Sequence, residues 1–546
     1  MKNLYKKYTQ FGIILLAAIL FSCVDQLEKS PLDRFDNATF WSSEENAMLA
    51  LTGVYRGGII QNNPTVNPSN WWAYDGLLFM EFASDNAYDR RGDNSAFHRL
   101  SNGTLTSSIN ILESYWSSSY KNVANCNFFL ENIDKVPMDE HVKQRMKSEV
   151  RFLRAAQYYY MSQFWGSVPL VLETLNPDEA NSVVKAPKTK IVSFLFNEFS
   201  EIVESLPSHA ELPSSERGRV TKQTVLAFQG RLQLSEKLWK EAEHTYGEII
   251  SLGENSIDPD YAGLFLKSNE NSDEIIFSTQ YIDNLGANAM LQHFYPALAG
   301  GWHLFNPLGS LAESYNFIDG SPFSYDSHLY DPNNLLNNRD PRMEATILVD
   351  GSQFKGTYVT HPDSASSPDQ LGAGKQTTQT GYGLKKFVDE SFSGDLRNYG
   401  GNTPIIRYAE ILLSYLEAKL EGGNSISQAD LDQTINLVRG RASVNLPPIT
   451  TTDSEELREL LRNERRVELA CEGIRYWDLL RWEIAKDVLN ADFYGAPFPG
   501  AQKMRMKDGK VDPHNRWYVT TRSFREGVDN YWPVPQTEVN INPALE

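Results

Sequence analysis

The chain has 546 residues, and its 51 Lys and Arg are outnumbered by 70 Asp and Glu, for a formal charge of −19. A surface of that sign repels polyanions, which disfavours nucleic acid and heavily sulfated glycans as ligands. The length is ample for a large core, and 26 Tyr, 27 Phe and 11 Trp exceed what a minimal helical core requires, leaving some to face a ligand.

Residues 1–22 read as a signal peptide, with Lys2, Lys6 and Lys7 ahead of an apolar run from Phe11 to Phe21. No later stretch approaches the ~18 consecutive apolar residues of a membrane span. Leu20-Phe21-Ser22-Cys23 resembles the bacterial lipobox, and lipidation of Cys23 is favoured over simple cleavage because Cys23 ends the apolar run. Loss of the three Lys takes the formal charge from −19 to −22. Residues 23–546 are expected to form one domain, with a helical scaffold over about 37–256 and 403–489 and a loop-rich ligand face over about 61–100 and 257–402.

Ser42 or Ser43 can cap a helix from Glu44 to Tyr55, with Ala47, Leu51 and Val54 on one face. From Gln61 to Arg91 the pattern loosens into Trp, Asn and Asp punctuated by Pro64, Pro68 and Gly76. Helical periodicity resumes over residues 109–133 and 141–165. In the second of these, Val142, Met146, Val150, Leu153, Tyr160 and Phe164 form the buried stripe, and Lys143, Lys147, Arg151 and Arg154 are expected outside it. Helices also fit 189–205, 221–235 and 240–251. The last two set Ala227, Gly230, Ala242 and Tyr246 where an antiparallel hairpin packs closely, a spacing similar to a tetratricopeptide unit without its strict period.

Between Ile257 and Gly401 the helical signal mostly disappears, and the polar part from Gly351 to Asn402 reads as long surface loops. Helices return over 404–421 and 428–442. From Glu455 to Trp482, Leu457, Leu460, Leu461, Glu464, Val467, Glu468 and Cys471 share one helical face, Gly473 marks a left-handed break, and Arg475 to Trp482 begins a second helix. Two readings compete for Glu464 and Glu468. Carboxylates at i and i+4 can serve as the acid/base pair of a glycoside hydrolase. The alternative is a structural ion network, and the nearby Arg462, Arg465 and Arg466 favour it, because guanidinium groups lower a carboxyl pKa where a general acid needs it raised.

Other chemistry is weakly specified. Gly372-Ala373-Gly374-Lys375-Gln376 looks like a phosphate loop, but Asp369 replaces its first Gly and Gln376 its Ser or Thr. No metal spacing or cofactor motif occurs. Asp85, Asn86, Asp89 and Asp93 have oxygens suited to calcium, although a solvated acidic loop is the simpler reading. Cys126 and Cys471 read as buried thiols, with a disulfide between them left open. A sugar site combines a flat aromatic with short polar side chains. Two stretches have that composition: Trp71, Trp72 and Tyr74 with Asp85, Asn86 and Arg90, and Tyr295 with Trp302 and His303. Each Trp can equally fill a gap under a loop.

Several segments carry a family resemblance. Arg462-Asn463-Glu464-Arg465-Arg466-Val467-Glu468-Leu469 continues through Glu472-Gly473-Ile474-Arg475-Tyr476-Trp477-Asp478-Leu479. Arg407-Tyr408-Ala409-Glu410-Ile411-Leu412-Leu413, Thr39-Phe40-Trp41, Arg151-Phe152-Leu153-Arg154-Ala155, Asn338-Arg339-Asp340-Pro341-Arg342 and Trp532-Pro533-Val534-Pro535 support it. In order and spacing the chain resembles the SusD/RagB family of outer-membrane nutrient-binding lipoproteins of Bacteroidetes. The resemblance implies a mainly α fold of tetratricopeptide-like hairpins with a loop-rich irregular face. It further implies non-catalytic glycan capture at the cell surface, a TonB-dependent SusC-like transporter as partner, a lipid anchor, and no cofactor. A tetratricopeptide-type peptide-binding adaptor is the remaining rival.

Overall fold

The structure, a computed structural model, describes residues 40–57, 70–93, 95–374 and 376–546. The signal peptide, Cys23 and the Pro64 and Pro68 punctuation lie outside the described residues. The scaffold begins where the Ser43 hydroxyl accepts from the Asn46 N–H (3.3 Å) and opens α1 (Glu44–Arg56), which stops at a left-handed Gly57 (φ 55). Two long helices follow, α2 (Asn110–Asn132) and α3 (Glu140–Phe164), and α4 (Lys188–Ile202) packs on α3. Next come α5 (Lys222–Ser235) and α6 (Trp239–Leu252), the expected hairpin. Gly230 is obligatory there, because a Cβ would lie 2.5 Å from the Tyr246 ring. The series closes with α7 (Tyr408–Glu421) on α6, α8 (Ser454–Glu468) on α7, and the shorter α9 (Arg475–Arg481).

Across from the helices lie four two-stranded antiparallel ribbons: β1 (Ala87–Asp89) with β3 (Phe305–Pro307), β2 (Ile275–Thr279) with β6 (Thr403–Arg407), β4 (Ile347–Leu348) with β5 (Gly383–Leu384), and β7 (Asp492–Pro497) with β8 (Arg516–Thr521). No ribbon is wide enough to stand alone. They are held by an aromatic core continuous with that of the helices. This is the mainly α, tetratricopeptide-like architecture expected.

Several local expectations fail for identifiable reasons. The helix expected over 404–421 begins only at Tyr408, because Pro404, Ile405 and Ile406 pair with β2 as buried strand. The helix expected over 428–442 is two short pieces, Gln428–Gln433 and Ile435–Arg439, broken at Thr434 (φ −127, ψ −99). Arg154 and Lys143 are buried, not outside the α3 stripe. The Arg154 guanidinium donates to Asn127 (3.0 Å) and Glu198 (3.3 Å), since α4 covers a face that periodicity alone assigns to water. The stretch from Gly351 to Asn402 is irregular but is no surface loop: Phe354, Tyr358, Leu384, Phe387 and Tyr399 anchor it in the core. Cys126 and Cys471 are both free and buried.

Candidate functional site

The charged faces of α8 and α9 form two buried ion clusters. Glu464 accepts from Arg342 (2.5 Å) and Arg439 (2.7 Å), and Glu468 from Arg342 (2.8 Å), Arg407 (2.7 Å) and Arg441 (2.8 Å). Asp340, Glu274, Glu472 and Lys386 complete the set, in which five cations face five carboxylates and no side chain is more than 9% exposed. Beside it Arg231, Arg465 and Arg481 face Glu410, Glu417 and Asp478, with Arg465 to Asp478 (2.8 Å) joining the two helices across Gly473. Burial by itself raises the Glu468 carboxyl pKa, but Arg441, Arg407 and Arg342 outweigh it and hold the group well below the usual carboxylate range. A general acid needs the reverse, and Glu468 has no exposed surface for a substrate to reach. The Glu464/Glu468 pair is a structural clamp.

Most of the residues expected at a sugar site are placed in the core. Trp71 is stacked with Tyr115, Tyr160, Phe164 and Trp532 at centroid distances of 4.2 to 6.0 Å, and its indole N–H donates to Ser119 (2.8 Å). Tyr74 is buried with its hydroxyl 3.0 Å from His293 Nδ1, and Tyr295 donates to the Asp389 carbonyl. His303 is buried in a left-handed backbone (φ 51), its Nε2 3.1 Å from the Tyr358 hydroxyl. Asp85 is clamped by Arg475 (2.8 Å) and Arg466 (2.9 Å); burial opposes ionisation, yet the two guanidinium groups keep its carboxyl well below the ordinary range. Asn86 donates to Glu81 (2.9 Å) and accepts from Arg466 (2.8 Å). Asp89 is held by Arg91 and Ser95. Asp85 and Asp89 therefore belong neither to a solvated acidic loop nor to a calcium site, because guanidinium groups occupy their carboxylates.

Trp72, Trp302 and Arg90 keep exposed surface. Trp302 stacks on His293 (5.4 Å, 29°), and the exposed Arg397 guanidinium lies 5.4 Å from its ring centre. The Arg90 N–H donates to the Leu304 carbonyl (3.0 Å), which ties it to the same segment. Trp72 is fixed by its indole N–H to the Tyr160 hydroxyl (3.1 Å), by its backbone N–H to Asn70 (2.8 Å) and by the Phe277 ring meeting it edge-on (5.3 Å, 82°).

Trp72 lines a pocket of ≈ 350 Å³ between the end of α1, the middle of α2 and α3, and the segment Ser278–Gly286 that leaves β2. Asn122 of α2 and Gln157 of α3 contribute to its wall, and each keeps a side-chain carbonyl oxygen without a partner among the described residues. At the rim Ile282 and Leu285 are 56% and 74% exposed. A partly buried indole with uncharged amide side chains beside it is the composition of a sugar-binding wall. Sequence reasoning missed Asn122, Gln157, Ile282 and Leu285. A signal for Gln157 existed, since it interrupts the buried stripe between Leu153 and Tyr160 at i+4.

The fold and pocket define a helical-repeat binding scaffold, with a half-buried Trp and uncharged amides where helices and loops meet. Residues 269–546 match the model of the SusD family, and residues 68–234 match a family described as starch-binding and associating with the outer membrane. The chain belongs to the SusD family. A SusD-like carbohydrate-binding protein of Bacteroides fragilis is 44% identical, spans 93% of this chain and 100% of its own, and superposes with a TM-score of 0.91. A second SusD-like protein of that organism is 26% identical over 94% of this chain and 99% of its own, with a TM-score of 0.77. A SusD-like protein of Formosa agariphila is 25% identical over 97% of this chain and 96% of its own length.

Proposed function

We propose that the protein is a cell-surface lipoprotein that captures oligosaccharide and delivers it to a TonB-dependent, SusC-like transporter without cleaving it. The observation that carries this reading is the Trp72 pocket. An indole locked at its N–H can present its ring to the C–H face of a pyranose, with the side-chain amides of Asn122 and Gln157 in the same wall. Trp302, partly buried and stacked on His293, is the second aromatic included in this proposal. The carbohydrate-binding description of the Bacteroides fragilis relative and the outer-membrane description of the matched family support it. Anchoring through Cys23 and an outward orientation are parts of this proposal.

A glycan array probed with residues 23–546 tests it. Trp72→Ala should weaken the strongest interaction by roughly 5- to 150-fold, as for loss of an aromatic anchor, with an unchanged circular dichroism spectrum. Unaltered affinity in both Trp72→Ala and Trp302→Ala would refute the site.

A further inference from the structure

We propose that the outer face of the β7–β8 ribbon, with the hairpin of residues 503–510 beside it, is a second saccharide surface, separate from the Trp72 pocket and suited to chains of uronate rings. Successive side chains of a strand point to opposite faces, so burial of Phe493, Trp517 and Val519 turns Tyr494, Arg516 and Tyr518 outward, where all three keep accessible surface. Tyr494 stands opposite Tyr518 in the ladder, their ring centres 5.9 Å apart at 70°. The hairpin turns at Asp508 and Gly509, both left-handed (φ 49 and 71), which is the backbone that a two-residue connection needs. It is tied to β8 where the Tyr518 N–H donates to the Arg505 carbonyl (3.0 Å). The Arg505 guanidinium and the Lys507 ammonium each lie 5.5 Å from the Tyr518 ring centre, and Arg516 lies 4.5 Å from that of Tyr494 and 5.8 Å from that of the partly exposed Tyr325.

The charge of this hairpin is opposite to that of the whole molecule. Over residues 503–510, Lys503, Arg505, Lys507 and Lys510 are accompanied only by Asp508, in a chain of formal charge −19. Lys507 is paired with Asp492 (2.9 Å), and Arg516 with Asp512 (2.8 Å) and Glu313 (3.0 Å), whereas Arg505 and Lys510 are exposed and form no ion pair among the described residues. An unpaired guanidinium beside an outward ring complements a uronate: the C–H face of the sugar lies on the aromatic, and its carboxylate, which only accepts, meets a group that only donates. The acidic remainder of the surface does not cancel this attraction, because exposed charges more than about 8 Å apart are largely screened at physiological salt. A row of rings one hairpin wide fits a single extended chain better than the ~800 Å² face of a stable protein partner.

The test titrates residues 23–546 by calorimetry with hexamers of galacturonate and of mannuronate, and with the same hexamers fully methyl-esterified, which keeps the rings and removes the charge. The better acidic hexamer should bind more tightly than its ester and weaken between ~50 and ~500 mM NaCl. It should lose about fivefold or more in affinity in Arg505→Gln/Lys510→Gln and in Tyr518→Ala, and none in Trp72→Ala. Arg505 and Lys510 are exposed, so the double variant removes charge without disturbing the core. Absence of binding by both acidic hexamers, or equal affinity for acid and ester, would overturn the inference. Uronate binding that survives in Arg505→Gln/Lys510→Gln, or disappears in Trp72→Ala, would also overturn it by placing the anion elsewhere. Vesicles containing phosphatidylglycerol that bind the parent but not Arg505→Gln/Lys510→Gln, with no uronate bound, would replace the saccharide by a lipid headgroup. Each of these failures leaves the Trp72 pocket to stand or fall on its own variant.

Discussion

Glu468→Gln is the sharpest test of what the buried charges of α8 do for this molecule. The substitution preserves size but leaves five buried cations facing four carboxylates, and it deletes charge-assisted bonds from Arg342, Arg407 and Arg441. Each of those guanidinium groups keeps another carboxylate, Arg342 on Asp340 and Glu464, Arg407 on Glu274 and Glu472, and Arg441 on Glu274. The loss is therefore that of one partner from a shared buried network, about 3–5 kcal/mol. Because the folded carboxyl is held below its unfolded value, this contribution is fully present above the unfolded pKa and disappears as pH falls through the folded one. Urea denaturation followed by tryptophan fluorescence should show a clear drop in midpoint at pH 7 that narrows in acid. Glycan affinity at the Trp72 pocket should not change. Coincident midpoints at pH 7 would refute the clamp, and a parent that hydrolyses glycan beside a stable, inactive Glu468→Gln would restore the hydrolase reading.

Gly230→Ala should cost about 1–3 kcal/mol, because the new methyl meets the Tyr246 ring at 2.5 Å; calorimetric melting reads it, and an unchanged transition would mean that the hairpin can separate freely. Trp71→Ala should destabilise by about 3–5 kcal/mol through loss of a stacked core ring, so a variant as stable as the parent would contradict its placement. Burial pushes the Glu81 carboxyl up to about 7, against the opposing hydrogen bond from Asn86. The folded state then holds a proton that the unfolded state releases near pH 4, so this group's contribution to stability is lost as pH rises from about 4 to 7. Glu81→Gln should flatten the decline in melting temperature over that window, and an identical slope would remove Glu81 as its source. Cys23→Ala should release the protein from the membrane fraction with its fold intact; retention in cells lacking any barrel partner would exclude the lipid anchor.

What could be read from the sequence was what repeats. The stripe of α3, the close approach of Gly230 and Tyr246, the left-handed Gly473 (φ 82) and the ionic role of Glu468 all follow from spacing along one or two helices. What could not be read was set by partners far along the chain. Arg154 looks solvated until α4 arrives with Glu198, and Asp85 looks like an open oxygen ligand until Arg466 and Arg475 arrive across nearly 400 positions. The strand at Thr403–Arg407 is invisible for the same reason, its partner β2 lying over 100 residues earlier.

Trp71 and Trp72 reduce that limit to two neighbouring side chains. Composition treats them alike, and their common surroundings of Asn and Pro suggest a loop whose aromatics face outward. The backbone separates them, since successive residues outside a helix cannot point the same way: the Trp71 indole turns to Ser119 on α2, and Trp72 reaches Tyr160 on α3. One indole thereby joins the core and the other lines a pocket. The alternation is a local rule, but which member faces inward depends on the Tyr115, Phe164 and Trp532 rings that meet Trp71. A pair of aromatics in a loop is thus evidence that a surface exists there, and only the packing of distant rings decides which of the two belongs to it.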